Sequence, residues 1–86
     1  MPDYFLAIKP SARKELDALD NASFRRIEEK ITLLAKEPRP AGCRKLKGHK
    51  DIWRIRLGDY RVLYTIDDTE GVVRVSRVAH RREVYE

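Results

Sequence analysis

The chain contains a single cysteine, Cys43, among its 86 residues. One cysteine excludes an internal disulfide bond and is typical of proteins that fold in a reducing cytoplasm. No apolar run approaches the roughly 20 residues that a membrane-spanning helix requires. The first five residues lack the charged and then apolar order of a secretory signal peptide. Together these absences predict a cytoplasmic location.

Residues that usually build metal and nucleotide sites are also scarce. The chain has two histidines and four scattered glycines, with no HExxH motif, no CxxC motif and no glycine-rich phosphate loop. Its serines have no partner set for a Ser-His-Asp triad. Asp67, Asp68 and Glu70 lie in a predicted hairpin turn, where ordinary turn hydrogen bonding is far more common than Mg²⁺ binding. We therefore predict no metal site and no cofactor.

Positive charge is what the chain has in excess. Nineteen Lys and Arg residues face 14 Asp and Glu residues, which gives a net charge of +5, and 12 of the 19 are arginines. Residues 1–43 carry 8 basic and 7 acidic groups, whereas residues 44–86 carry 11 and 7. This asymmetry favours a nucleic acid or an acidic protein as the partner. The simpler interpretation is that the positive charge only keeps the protein soluble.

Hydrophobic periodicity predicts one domain over residues 1–86, beginning with a strand and two helices. The strand at residues 4–8 is apolar on both faces, which predicts burial. The first helix begins at Pro10, and Asp20-Asn21 ends it and offers an N-cap to the second helix, at about residues 22–37. Apolar spacings of three and four make the second helix the strongest helical signal. Its apolar residues are Phe24, Ile27, Ile31 and Leu34.

Three more strands follow a basic loop at residues 38–51. They are predicted at residues 52–57, 60–66 and 72–79, and Gly58-Asp59 is the hairpin signal between the first two. The order strand, helix, helix, strand, strand, strand predicts an α+β fold, an antiparallel sheet with a helical hairpin packed on one face. Alternation places Trp53 in the core and Arg54 and Arg56 on the other face. The last strand is apolar on both faces, so its orientation stays open.

Arginine recurs on these strands among Val, Leu and Tyr. Alternation along the neighbouring strand places Arg61 on the same face as Arg54 and Arg56, so the three are predicted to form a cluster. Guanidinium groups are well suited to bind phosphate oxygens. Cleavage of a phosphodiester without metal would use the ribose 2′-hydroxyl as nucleophile, which restricts the substrate to RNA. Arginines can position the phosphate and stabilise its developing charge, but with a pKa above about 12 they transfer protons poorly. His80 and Tyr85 are the candidates for proton transfer or base stacking.

Three motifs resemble those of the RelE-type toxins of bacterial toxin–antitoxin pairs, and the resemblance covers essentially the whole chain. The motifs are Lys45-Leu46-Lys47-Gly48, Tyr60-Arg61-Val62-Leu63-Tyr64 and His80-Arg81-Arg82-Glu83-Val84-Tyr85. The resemblance implies a single toxin domain that enters the ribosomal A site and cuts mRNA by metal-independent 2′-hydroxyl attack. It also implies inhibition of translation and neutralisation by a cognate antitoxin protein.

The resemblance also assigns roles to individual residues. By motif position, Arg61 and Arg81 match the phosphate-binding and charge-stabilising arginines, and Tyr85 matches the C-terminal tyrosine of the family. Arg54 and Arg56 stand where the best-known members have lysines, which keeps the charge and leaves the general base open. The predicted catalytic residues are Arg54, Arg56, Arg61, Arg81 and Tyr85. The predicted RNA-binding residues are Arg44, Lys45, Lys47, Lys50, His80 and Arg82.

Two other functional classes are consistent with the same pattern. One is a ParE-like toxin of the same fold that poisons DNA gyrase, and the other is an RNA-binding module without catalytic activity. The C-terminal tyrosine and the dense arginines favour the nuclease. How the antitoxin acts also stays open: it either occupies the basic face or pulls Tyr85 and its neighbours out of position.

Overall fold

A computed structural model describes residues 3–46, 48 and 51–83 of the chain. Two helices and four strands follow one another in the predicted order, a fifth, short strand is added to them, and the α+β class is confirmed. A short 3₁₀ turn at Arg81–Glu83, here called the C-terminal turn, ends the described part. The elements are β1 (Phe5–Ile8), α1 (Pro10–Asp17), α2 (Asn21–Leu33), β2 (Arg44–Lys45), β3 (Ile52–Leu57), β4 (Tyr60–Asp67) and β5 (Val72–His80).

The two helices form the predicted hairpin. Pro10 occupies the first turn of α1, where its missing N–H costs no hydrogen bond. The Asp20 side chain caps α2 by accepting a hydrogen bond from the Ser23 N–H at 3.1 Å, and this bond lowers the pKa of Asp20. Helix α2 ends at Leu33, before the predicted end at residue 37. Its last turn tightens into bonds such as Leu34 N–H to the Ile31 carbonyl, as often happens at helix ends.

The sheet has the strand order β1-β5-β4-β3-β2. Strands β3, β4 and β5 pair in antiparallel fashion, as predicted, and the unpredicted β2 pairs antiparallel with β3. The prediction of a wholly antiparallel sheet is wrong for β1, which pairs with β5 in parallel, so the sheet is mixed. Strand β2 lies within the predicted loop and pairs two residues with β3. Because β1 is an edge strand, its outer face is not fully covered, and Phe5 is 71% exposed rather than buried as predicted.

The core lies between the helical hairpin and one face of the sheet. Ile27, Ile31 and Leu34 of α2 are each 1% exposed, as their periodicity predicts. The buried sheet residues that complete this core alternate along their strands with residues of the other face. They are Ile55, Leu57, Val62, Tyr64, Val73, Val75 and Val78.

An irregularity in β5 explains why its orientation could not be read from alternation. Leu63 of β4 pairs with Arg77, whereas the next residue, Tyr64, pairs with Val75, so Ser76 is an extra residue in β5. Such a bulge reverses the parity of a strand beyond it. The Ser76 hydroxyl donates to the Leu63 carbonyl at 3.1 Å, which fixes the bulge in place. In the described part of the chain, no helix has the length and apolar character to cross a membrane.

Candidate functional site

The sheet face opposite the helices carries Arg54, Arg56 and Arg61 and is here called the arginine face. Arg56 of β3 and Arg61 of β4 are directly opposite each other, and Arg54 is opposite Leu63. Residues opposite each other on neighbouring antiparallel strands have side chains on the same face, about 5 Å apart at their Cβ atoms. The register therefore brings together three of the five residues predicted to be catalytic.

Arg54 is not part of a solvated surface. It is 4% exposed and is the one charged residue among the buried residues of the described chain. Its neighbour on β2 is Arg44, which the register places directly opposite it. Arg54 therefore places a positive charge within the sheet itself, next to that of Arg44.

Arg61 is held against the hairpin turn between β3 and β4. Its Nη1 donates to the carbonyl oxygens of Gly58 at 3.2 Å and Tyr60 at 3.1 Å. The turn favours glycine at position 58, because φ is +62° there, in the left-handed region that other residues rarely adopt. The guanidinium of Arg61 is thereby anchored at the end of the sheet where β5 also ends.

Arg81 begins the C-terminal turn and continues the β4–β5 ladder by one bond. Its N–H donates to the Asp59 carbonyl at 2.7 Å, and its Nε lies 3.7 Å from the Asp59 carboxylate. Its backbone therefore sits beside the Gly58-Asp59 turn that also anchors Arg61. Arg81 is exposed, as is Arg82. The structure accordingly places Arg81 at the same end of the sheet as Arg56 and Arg61.

His80 and Lys45 are not on the arginine face. The register places His80 opposite Tyr60, and the two rings make an edge contact with centroids 5.6 Å apart. Nδ1 of His80 accepts a hydrogen bond from the Arg82 N–H at 3.2 Å. Lys45 is opposite Trp53, its Nζ is 5.8 Å from the Trp53 ring centroid, and it is 3.8 Å from Asp51. Both side chains belong to the face on which the core residues lie.

A groove runs between the end of α2, the loop after it and the outer edge of β3. Its volume is about 580 Å³. Leu33, which is 48% exposed, is one of its apolar residues. Arg44, Arg54 and Arg56 also line it, so the groove opens beside the arginine face. The remaining lining residues are Lys30, Leu34, Lys36, Glu37, Pro40, Ala41, Gly42, Ile55 and Leu57.

Three of the predicted site residues, Lys47, Lys50 and Tyr85, lie outside the described residues. The acidic turn at residues 67–70 shows turn chemistry: the Asp67 carboxylate accepts from the Glu70 N–H at 2.8 Å. The Asp68 carboxylate accepts from Arg39 at 2.8 Å and from the Tyr4 hydroxyl at 2.6 Å, and these bonds lower the pKa of Asp68. Within ranges 3–46 and 51–83, no three His, Cys, Asp or Glu side chains cluster as metal ligands would.

Arg77 is not among the predicted site residues. It is opposite Leu63 and therefore in the same cross-strand row as Arg54 and Arg44. Its Nη2 donates to the Glu15 carboxylate of α1 at 2.9 Å. A single sequence carries no clear signal for this position, because the bulge at Ser76 breaks the alternation that would have placed it.

Comparison with known proteins decides the family. Residues 6–85 match the profile of the family described as "ParE toxin of type II toxin-antitoxin system, parDE". The chain is a member of the RelE/ParE superfamily of toxins. The match spans almost the whole chain and therefore includes every element of the fold. Membership of the RelE/ParE superfamily, which the three sequence motifs predicted, is thus confirmed.

Solved RelE/ParE structures share the fold of this chain. A chain of the archaeal RelE–RelB complex from Pyrococcus horikoshii is 32% identical and has a TM-score of 0.82, over 95% of this chain and 99% of that one. A chain of the intact E. coli RelBE toxin–antitoxin complex is 31% identical, with a TM-score of 0.77 over 90% of this chain and 95% of that one. A chain of the RelBE2 toxin–antitoxin complex from Mycobacterium tuberculosis is 29% identical, with a TM-score of 0.80 over 92% of this chain and 99% of that one.

Proposed function

We propose that this RelE/ParE toxin is a ribosome-dependent endoribonuclease that cuts mRNA in the A site. The nucleophile is the 2′-hydroxyl of the substrate, which attacks the adjacent phosphorus and expels the 5′-oxygen of the next nucleotide. The products are a 2′,3′-cyclic phosphate and a 5′-hydroxyl end. The enzyme positions the phosphate and stabilises the charge that develops on it. This function locates the protein in the cytoplasm, where it inhibits translation.

The observation that carries the proposal is the pairing of like charges across the sheet. Arg44 opposes Arg54, and Arg56 opposes Arg61. Residues directly opposite each other share one face of the sheet, so this register concentrates guanidinium groups on a single surface. A phosphodiester bound at that surface would accept charge-assisted hydrogen bonds from several of them. The arrangement therefore supports an RNA backbone as the ligand.

The geometry also bears on proton transfer. Because Nδ1 of His80 accepts the Arg82 N–H, the proton of a neutral His80 ring lies on Nε2. With Nδ1 occupied and its ring on the face opposite the arginine face, His80 is poorly placed for proton transfer at the proposed phosphate site. Under the proposal, Arg61 and Arg81 bind and neutralise the phosphate, and Tyr85 either stacks on a base or transfers a proton. Arg54 and Arg56 add positive charge to the same face.

The direct test is 5′-end mapping of mRNA on programmed ribosomes. Arg61→Ala and Arg81→Ala should each lower the cleavage rate by about 100-fold or more, because each removes charge stabilisation in the transition state. Arg74→Ala is a matched control, since Arg74 is an exposed arginine of β5 that pairs with Thr65, away from the hairpin turn. A double variant of Arg61 and Arg81 that cuts at the wild-type rate would refute the assignment. Ribosome binding without cleavage by the wild type would favour a non-catalytic RNA-binding module.

A second candidate function follows from the family profile, which is named for ParE. A ParE-like toxin of this fold would poison DNA gyrase and would not act on RNA. Induced expression in cells separates the two. Arrest of protein synthesis within minutes supports the nuclease, whereas a DNA-damage response with translation still active supports gyrase as the target. The opposed arginine pairs make the nuclease the preferred function.

The proposed protein partner is an antitoxin, because the solved relatives above are toxin–antitoxin complexes. The groove beside the arginine face suits an amphipathic acidic segment: apolar residues such as Leu33 and Ile55 line it, and five of its six charged residues are basic. A segment bound there would contact Arg54 and Arg56 directly. The groove therefore favours inhibition by occupation of the basic face over displacement of Tyr85.

A further inference from the structure

A carboxylate from the helical layer completes the unpaired edge of β5. Strand β1 pairs with β5 only at residues 72–75, so the later part of β5 extends beyond its parallel neighbour. Glu15 of α1 reaches this edge, where its Oε1 accepts a hydrogen bond from the Val78 N–H at 2.9 Å. A side chain thus takes the place of a strand at this point, and exposed edge groups of a sheet otherwise lack such a partner.

The same carboxylate binds Arg77, and Arg77 reaches a second carboxylate. Nη2 of Arg77 is 2.9 Å from Oε2 of Glu15 and 3.9 Å from Oε2 of Glu83. Glu15 has 29% of its side chain exposed and Arg77 has 40%. Arg77 is therefore a bridge between helix α1 and the C-terminal turn, with its guanidinium between two negative charges.

Glu83 in turn holds the backbone of the C-terminal turn. Its Oε1 accepts from the His80 N–H at 3.2 Å, which closes the turn over the residues between them. Those residues are Arg81 and Arg82. Arg81 is also fixed by the bond from its N–H to the Asp59 carbonyl. The position of the Arg81 backbone thus depends on one contact with the hairpin turn and on a chain of contacts that starts at Glu15.

From these contacts we infer that Glu15, acting through Arg77 and Glu83, is a positioning residue for Arg81 in the proposed phosphate site. The inference rests on the proposed function. Glu15 lies on the helical layer and does not touch the substrate. Its effect on cleavage comes from the placement of Arg81, since displacement of a catalytic group by about 1 Å can cost as much as 100-fold in rate.

The charge of the two carboxylates gives the inference a distinctive signature. Glu15 and Glu83 lower the positive potential near the arginine face, so they oppose the binding of a polyanion. Their removal should leave RNA binding unchanged or make it tighter, while the chemical step becomes slower. A loss of folded protein would lower binding and cleavage together. The two readouts therefore separate positioning from general destabilisation.

The experiment compares Glu15→Gln with Asp17→Asn. Gln keeps the shape of Glu15 but replaces one of the two acceptor oxygens with an NH₂ donor, which would then face either the Val78 N–H or the Arg77 guanidinium. Asp17 lies on the same helix, and its carboxylate contacts only Arg13 in the described structure, at 3.3 Å. In single-turnover cleavage on programmed ribosomes, Glu15→Gln should lower the rate about tenfold, with an unweakened dissociation constant for a short single-stranded RNA. Asp17→Asn should match the wild type in both.

Amide hydrogen exchange measures the same effect without cleavage. The Val78 and Arg81 amides should exchange faster in Glu15→Gln, while the amides of Ile55 and Val62 keep their protection. Glu83→Gln combined with Glu15→Gln should be less than additive, because both act through Arg77. Unchanged exchange at Arg81, or an unchanged cleavage rate despite faster exchange, would overturn the inference. A wild-type protein that cuts no RNA would instead overturn the proposed function, and the exchange at Arg81 would still decide the structural claim.

Discussion

Neighbouring arginines of the arginine face differ in environment although they share a strand and a face. Arg54 is 4% exposed and lies in the middle of the sheet, whereas Arg56, two residues on, is exposed beside the hairpin turn. A buried guanidinium has fewer accessible positions and a stronger electrostatic effect than an exposed one. Under the proposed function, Arg54 would therefore fix the potential of the face, and Arg56, with Arg61, would contact RNA directly.

Tyr64 is the residue whose hydroxyl matters most to stability. Its side chain is 0% exposed, and its hydroxyl donates to the Pro38 carbonyl at 2.7 Å. Tyr64→Phe leaves that buried carbonyl without its partner, so the free energy of unfolding should fall by about 1–3 kcal/mol. Urea denaturation at pH 7 measures this change. Tyr60→Phe is the control, because the ring that contacts His80 is retained, and it should cost much less.

The pH dependence of the same variant gives a second readout. Burial raises the pKa of Tyr64 above its ordinary value. The stability linked to its protonated hydroxyl is fully present below the unfolded pKa of about 10 and is lost as the pH rises through the folded pKa. Wild-type stability should therefore fall more steeply above pH 10 than that of Tyr64→Phe. Parallel curves for the two proteins would contradict the assignment.

Side-chain placement could be predicted wherever alternation was unbroken. Trp53 was expected on the core face, and the register agrees, since it places Trp53 opposite the fully buried Tyr64. Arg77 could not be predicted, because one extra residue at Ser76 reverses the parity of β5. The burial of Arg54 could not be predicted either, because alternation predicts which face a residue lies on and not what covers that face.

At the scale of elements, local signals predicted pairs of adjacent strands and failed for distant ones. The Gly58-Asp59 turn fixes the β3–β4 register from within the sequence. The pairing of β1 with β5 joins residues more than 60 positions apart, such as Phe5 and Val72, and has no local signature. The parallel direction of β1 has no local signature either, and only the folded chain reveals it.

The groove between α2 and β3 makes a prediction at this scale. Leu33→Asp replaces an exposed apolar residue of the groove with a negative charge, which should repel an acidic antitoxin segment and remove an apolar contact. Affinity for the antitoxin encoded beside the toxin should fall at least tenfold, or about 1.4 kcal/mol, as measured by calorimetry.

Thr32→Asp is the matched control for the groove. Thr32 is the exposed neighbour of Leu33 on α2 and does not line the groove. It introduces the same charge one position away and should leave affinity nearly unchanged. Equal affinities for the two variants would show that the antitoxin binds elsewhere, and displacement of the C-terminal residues would then become the preferred mode of inhibition.

At the scale of the whole molecule, the sheet separates the arginines of the arginine face from the hydrophobic core. The helices cover one face, and Arg44, Arg54, Arg56 and Arg61 share the other. The composition alone predicted the imbalance between the two halves of the chain. It could not predict that two pairs of arginines would be opposed, because that depends on the register of three strands.

This separation predicts how RNA binding responds to salt. Each phosphate neutralised on a single strand contributes about 0.7 to the slope of log affinity against log salt concentration. Arg61→Ala and Arg81→Ala should each lower that slope by about 0.7 for a short single-stranded RNA, measured by fluorescence anisotropy. Lys14→Ala on α1 should leave it unchanged, since this exposed lysine lies on the helical layer. A slope that falls equally for all three would mean that RNA responds to net charge alone, and the arginine face would lose its special role.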